Sequence, residues 1–539
     1  MEHKGGGGGG EVELAGTSGP GAVQRGNAGA EAPAPAPATK PLSLPRLILA
    51  CMVAGGVQYG WALQLSLLTP TFFALLIMQT LGLSHALSSI MWLCGPIAGF
   101  VVQPCVGLWS DRCRSPLGRR RPFILVGCTL ICCAVIVIGF SSDIGYALGD
   151  TKEHCSVYRG PRWHAAIVYV LGFWLLDFSN NAVQGPARAL MADLSVGHFG
   201  PNAANAIFCS WMAFGNILGY SSGSSGKWHE WFPFLQTAAC CEACANLKGA
   251  FFIAVILLIF SLSVTMIFAR EATLPPRNSG KADEEVGDEE RMNFFTMFKA
   301  FKNLPPGMVS VLVVTGLTWL SWFPFILYDT DWMGREVYHG DPKGSPAEVA
   351  AYDRGVREGA FGLLLNSIVL GLSSFLIEPL CRKFTAKFVW VISNFILFAA
   401  MAATAIISVW SLNDYRGSIQ QAITADKDVR IAALVLFAAL GFPLAVLFSV
   451  PFAVTAQIAA NGGGGQGLAV HRVLNISIVV PQVIIALGAG PWDALFGKGN
   501  LPAFALASAI ALVSGFVGFF MLPKLSKSNF KTAGIVGGH

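Results

Sequence analysis

Apolar stretches of membrane-spanning length recur along the chain in two sets of six. The first set lies near 47–69, 86–108, 122–140, 163–187, 204–222 and 249–269, the second near 308–328, 360–378, 388–410, 431–455, 473–491 and 502–522. A helix of about 20 apolar residues crosses the hydrocarbon core of a bilayer, so the pattern predicts an all-α membrane protein of about twelve transmembrane helices in two six-helix halves. The stretch near 204 is the most dilute, because Asn205, Asn216 and several glycines interrupt it. The polar segment between the sets contains Pro275, Pro276 and an acidic run from Asp283 to Glu290, and reads as solvated loop. The predicted layout is a disordered cytosolic tail over 1–45, an N-terminal half over 46–269, a cytosolic linker over 270–306, a C-terminal half over 307–523 and a cytosolic tail over 524–539.

Composition narrows the function classes. Hydrophobic residues make up 54% of the chain and charged residues 12%, against about 25% charged in soluble domains, so most of the surface faces lipid rather than water. A net charge of +5 with no basic stripe excludes the usual nucleic-acid partners. Lysine and arginine fall on one side of a twelve-helix layout: Arg112, Arg114, Arg119, Arg120 and Arg121 after the second helix, Arg382, Lys383 and Lys387 after the eighth, and Lys524, Lys527 and Lys531 at the C-terminus. That side is the cytosol by the positive-inside rule. Cys94 and most other cysteines in apolar stretches read as inert core. Cys155, Cys240, Cys241 and Cys244 lie in two loops predicted to face outward, where Cys155 pairs with one of the other three or all four stay thiols. The CCEAC run has no second ligand pair, so no metal is expected.

Polar residues inside the apolar stretches carry the candidate chemistry. An ionisable residue in a span is costly unless it faces a cavity or a partner. At about 100° per residue, Asp177, Asn181, Gln184 and Arg188 share one face of the fourth helix. Asp177 and Arg188 are too far apart along it to pair directly, roughly 16 Å at 1.5 Å per residue. A lone carboxylate on such a face is suited to carrying a proton. On the first helix Gln58, Trp61 and Gln64 form a polar and aromatic ridge, and Trp322 continues the theme on the seventh, where amides meet hydroxyls and flat rings pack on a sugar face. At the outer mouth of the seventh helix Asp329 reads as solvated loop. Asp331 and Arg335 fall at i and i+4 if the helix continues, placing them to pair, with Glu336 beside them.

Two resemblances follow. Gly107-Leu108-Trp109-Ser110-Asp111-Arg112 with Gly118-Arg119-Arg120-Arg121 resembles the loop signature of the major facilitator superfamily. In that reading Asp111, Arg112, Arg119 and Arg120 form a gating cluster that latches one conformation across the half-interface and releases it as the halves rock. The runs GVQYGWALQLSLLTP, LGFWLLDFSNNAVQGPARALMADL, TWLSWFPFILYDTDWMGRE, VPFAVTAQ and VLNISIVVPQ resemble the plant sucrose–proton symporters, closest to those of cereal grasses. The resemblance implies sucrose as substrate, proton cotransport through Asp177, a sugar contact at Arg188, and transport-essential charges at Asp331, Arg335 and Glu336. It implies no cofactor beyond the coupling proton, a plasma-membrane location ahead of the vacuole, and function as a monomer or a homo-oligomer that also accepts other glucosides. The chain departs from the family pattern over 71–78, which precedes His85, and over 469–472, where His471 and Arg472 stand at the entry of the eleventh helix. A sugar sensor that binds without transporting and a facilitator of hexoses or other glycosides are the alternatives. No catalytic triad or histidine cluster points to an enzyme.

Overall fold

The computed structural model describes residues 43–66, 93–155, 157, 162–194, 200–271, 304–342, 344–417, 426–461, 467–496 and 499–523. The expectations for the two tails, for 71–78 and His85, and for nearly all of the linker fall outside these residues, as do the side chains of Asp111, Arg112, His471 and Arg472.

Twelve helical spans are present among the described residues. The first comprises Leu44–Ala50 and Val53–Leu63, and the second Cys94–Ile97, a π-helical turn at Ala98–Val102 and Gln103–Arg112. The remaining N-terminal spans are Arg121–Gly139, Trp163–Leu194, Gly200–Ser225 and Glu242–Phe268. The C-terminal six are Met308–Trp332, Pro346–Phe384, Ala386–Gly417, Lys427–Asn461, Gly467–Phe496 and Leu501–Met521. Helix is imposed here by the solvent: in hydrocarbon every backbone polar group must be satisfied within its own segment. Local signals set the starts. Proline occupies the first turn at Arg121, Pro346 and Leu501, where its missing N–H costs nothing. Ser345 and Glu348 form a capping box that starts the eighth helix, well before the apolar stretch that the sequence marks.

The first and fifth helices pack backbone to backbone. A Cβ on Gly215 would stand 2.4 Å from the Gly55 carbonyl oxygen, and one on Gly219 would stand 2.8 Å from that of Tyr59. Small residues permit this approach, the main source of association between helices in lipid. Each half keeps its own core. One apolar cluster runs from Leu47 to Ala269 and lies wholly in the N-terminal half. Two others belong to the C-terminal half, apart from Ala62 and Tyr220. Lys248, buried inside the sixth helix, pairs with Asp143 and sits 4.7 Å from the Phe140 ring.

Cys155 is bonded to Cys241, and Cys240 to Cys244. The sequence left the partner of Cys155 open and did not anticipate the second bridge, which closes within a single turn of the CCEAC run.

Candidate functional site

A cavity of about 190 Å³ lies where the two halves face each other. The N-terminal half lines it with Gln58, Trp61, Gly95, Asp177, Asn181, Asn216 and Tyr220, the C-terminal half with Trp319, Trp322, Phe323, Asp329, Asn366, Ser367, Phe448 and Gln482. Of the residues expected to meet substrate, the cavity gathers Gln58, Trp61, Asn181 and Trp322 around Asp177. Gln64, Gln184 and Arg188 do not line it, which corrects their expected direct contact with the sugar in this conformation. The volume is below the 300–1,000 Å³ common for small-molecule pockets, so the halves must part to admit anything the size of a disaccharide.

Asp177 is 3% exposed. Its Oδ1 accepts from Gln64 Nε2 at 3.3 Å and its Oδ2 from Cys94 Sγ at 2.9 Å. Cys94 is therefore more than the inert core residue expected: its thiol holds one carboxylate oxygen. Gln64 acts from behind the carboxylate rather than on a ligand. Asn181 Nδ2 donates to the Asp177 carbonyl, and Gln58 Nε2 donates to Asn216 Oδ1 at 2.9 Å. Arg188 packs against the fifth helix instead, with its guanidinium 5.5 Å from the Phe208 ring centroid and Nη2 3.5 Å from Met212 Sδ.

Asp329 overturns the solvated-loop expectation. It is 5% exposed and lines the cavity from the half opposite Asp177. The sequence hid it because it abuts a charged run at a helix end; the seventh helix extends to Trp332 and carries Asp329 inside. Asn216, Asn366 and Gln482 were likewise missed as cavity residues. Each is a single amide within an apolar stretch, a signal that marks burial but not direction.

Asp331, Arg335 and Glu336 do not face the cavity. Arg335 Nε donates to both Asp331 oxygens at 3.0 Å, Tyr352 Oη donates to Oδ1 at 2.6 Å, and Asn500 Nδ2 donates to Oδ2 at 2.8 Å. The Asn500 backbone N–H donates to Glu336 Oε1. The cluster thus ties the end of the seventh helix to the starts of the eighth and twelfth.

At the other end of the bundle, Arg119 Nη2 pairs with Asp193 at 2.6 Å and Arg119 Nε with Glu271 at 3.5 Å. Arg120 Nη1 donates to Ser110 Oγ at 2.6 Å, and its backbone N–H donates to Glu271 Oε2. These bonds join the ends of the second, fourth and sixth helices inside one half, which corrects the expected latch across the half-interface for Arg119 and Arg120. Asp193→Ala is expected to lower turnover several-fold with little change in half-saturating sugar, since it loosens a brace far from the cavity. Uptake kinetics on surface-normalised protein check this, and a rise in half-saturation at unchanged maximal rate contradicts it.

Over 505 residues the chain is 69% identical to sucrose transport protein SUT1 of Oryza sativa subsp. japonica, covering 93% of this chain and 91% of that protein. The chain belongs to the sucrose transport protein family. A second relative in this family, SUT3 of the same organism, is 67% identical over 501 residues, covering 92% of this chain and 96% of the relative. No family model matches the chain. Among solved structures, the nucleoside transporter NupG aligns with a TM-score of 0.60 at 12% identity, covering 88% of this chain and 100% of NupG. A D-xylose–proton symporter aligns at 0.58 and 12%, covering 91% of this chain and 100% of the symporter. At that identity the likeness speaks for the fold, which is the major facilitator fold. This family member is a multi-pass membrane transport protein and not an enzyme.

Proposed function

We propose that this protein is a proton-coupled sucrose symporter of the plasma membrane that works by alternating access. The observation that carries the reading is the pairing of a buried carboxylate, Asp177, with Trp61, Trp322 and several amides in one cavity between two separately cored halves. The ring faces of Trp61 and Trp322 pack on the apolar C–H face of a sugar, while Gln58, Asn181 and Asn366 exchange hydrogen bonds with hydroxyls. Asp329 accepts from hydroxyls on the opposite side, where a charged acceptor makes a bond roughly twice as strong as a neutral one. Protonation of Asp177 from outside removes the cost of a bare buried charge and lets the loaded protein close. Rocking then opens the cavity toward the end that bears the arginine loop, and the proton leaves there. Arg188 meets the sugar only if the cavity lengthens along the fourth helix during that motion. The relatives named as sucrose transport proteins support the substrate.

Labelled sucrose uptake into proteoliposomes, with and without an imposed pH gradient, tests the reading. Concentrative uptake is expected only with the outside acidic, with glucose competing weakly. Saturable binding without uptake favours the sensor, and pH-independent equilibration of hexoses favours the facilitator.

A further inference from the structure

Two amides on the fourth helix stand apart from the cavity. Asn180 is 0% and Gln184 is 3% exposed. All four of their side-chain polar atoms lack a hydrogen-bond partner among the described residues. They lie four residues apart and about 40° apart around the helix, with Asp177 about 20° from Gln184. At 1.5 Å per residue they sit roughly 4.5 and 10.5 Å beyond Asp177, toward the arginine-loop end. Gln64, which donates to Asp177, also has its Oε1 without a partner among the described residues. Gln103 of the second helix runs alongside: its Cγ is 3.7 Å, and its carbonyl oxygen 3.8 Å, from where a Cβ on Gly185 would stand. Gln103 is only half-buried. A row of amides therefore leads from the buried carboxylate to a partly accessible position on the neighbouring helix.

Burying an amide group unpaired costs about 1–3 kcal/mol, and buried polar groups of this kind are normally met by ordered water with about three partners each. We propose that Asn180, Gln184 and Gln103 hold a chain of water molecules that carries the proton from Asp177 to the arginine-loop end without passing through the sugar cavity. This rests on Asp177 being the proton carrier. The Asp177 carboxyl gives its proton to the first water, each water passes one proton to the next, and the last is released to the aqueous phase. The amides orient the chain through their N–H donors and C=O acceptors and never take the proton themselves. Arg188 lies about 40° from Gln184 on the side away from Asn180, held against Phe208 and Met212. Its positive charge repels an excess proton and favours departure along Gln103.

The test compares two modes of transport in proteoliposomes. Net uptake driven by a pH gradient requires Asp177 to release its proton in every cycle, whereas sucrose counterflow exchanges sugar without that release. Gln184→Leu and Asn180→Leu are expected to slow net uptake at least about tenfold, a barrier increase of roughly 1.4 kcal/mol, with counterflow near wild-type. Retained counterflow also shows that each variant is folded. Gln184→Glu, which keeps a polar group for water, should restore part of the net rate. If net uptake and counterflow fall together in both leucine variants, the amides serve packing or sugar contact and the relay is wrong. It is equally wrong if neither mode changes. Asp177→Asn separates the underlying reading: if that variant still accumulates sucrose, the proton carrier itself has been misassigned.

Discussion

Asp177→Asn is expected to abolish accumulation of sucrose against a gradient while leaving exchange across the membrane partly intact. The substitution keeps the shape and the acceptor for Gln64 and Cys94, whose contacts at 3.3 and 2.9 Å hold the carboxylate, but removes the titration. Each unit of pH difference supplies about 1.4 kcal/mol, or tenfold accumulation for one proton per sugar, and an amide cannot draw on it. Wild-type protein should concentrate sucrose more as the outside is acidified from neutral. The variant should reach only equal concentrations on both sides at every pH. Steady-state accumulation ratios in proteoliposomes measure this directly, and a ratio that still climbs with the pH difference rules Asp177 out as the coupling group.

The second large effect is expected at the helix-end cluster. Asp331→Ala withdraws the acceptor for Arg335, Tyr352 and Asn500 together. Removing one partner of a buried ion pair costs about 3–5 kcal/mol, so the purified variant should melt well below wild-type and reach the membrane in small amounts. Tyr352→Phe removes one bond, costs about 1 kcal/mol, and should leave most transport in place. The charges implied to be essential for transport then matter because they fasten three helix ends of one half. Thermal unfolding in detergent decides the matter: an Asp331→Ala protein that melts like wild-type yet does not transport assigns this carboxylate to the transport cycle itself.

Much of this architecture is legible in the sequence, because a bilayer allows so few solutions. Apolar length marks each span, and proline and the Ser345 cap mark starts. The fourth-helix stripe is legible too, since one ionisable side chain in an apolar stretch is too costly to be incidental. What helix periodicity leaves open is the neighbour. Asp177 and Arg188 share a face, yet the first turns to the cavity and the second to Met212 and Phe208, because the fifth helix crosses only the lower part of that face. Asp329 went unread because a helix end cannot be placed to within a turn from a charged run. Asp193 and Glu271, the partners of the arginine loop, lie 74 and 151 residues from the groups they bind, and spacing along the chain carries no trace of such pairs.

The separation of the cores has a mechanical consequence. Only Ala62 and Tyr220 of the N-terminal half belong to a cluster of the opposite half. Swinging the halves apart therefore wets little oily surface, at about 25 cal/mol per Å², and what it does wet is largely a wall of amides and carboxylates already suited to water. The stroke is then close to thermoneutral. A chemical gradient worth one or two kilocalories is enough to set its direction, and the molecule can cycle many times without loosening either of the two bodies that move.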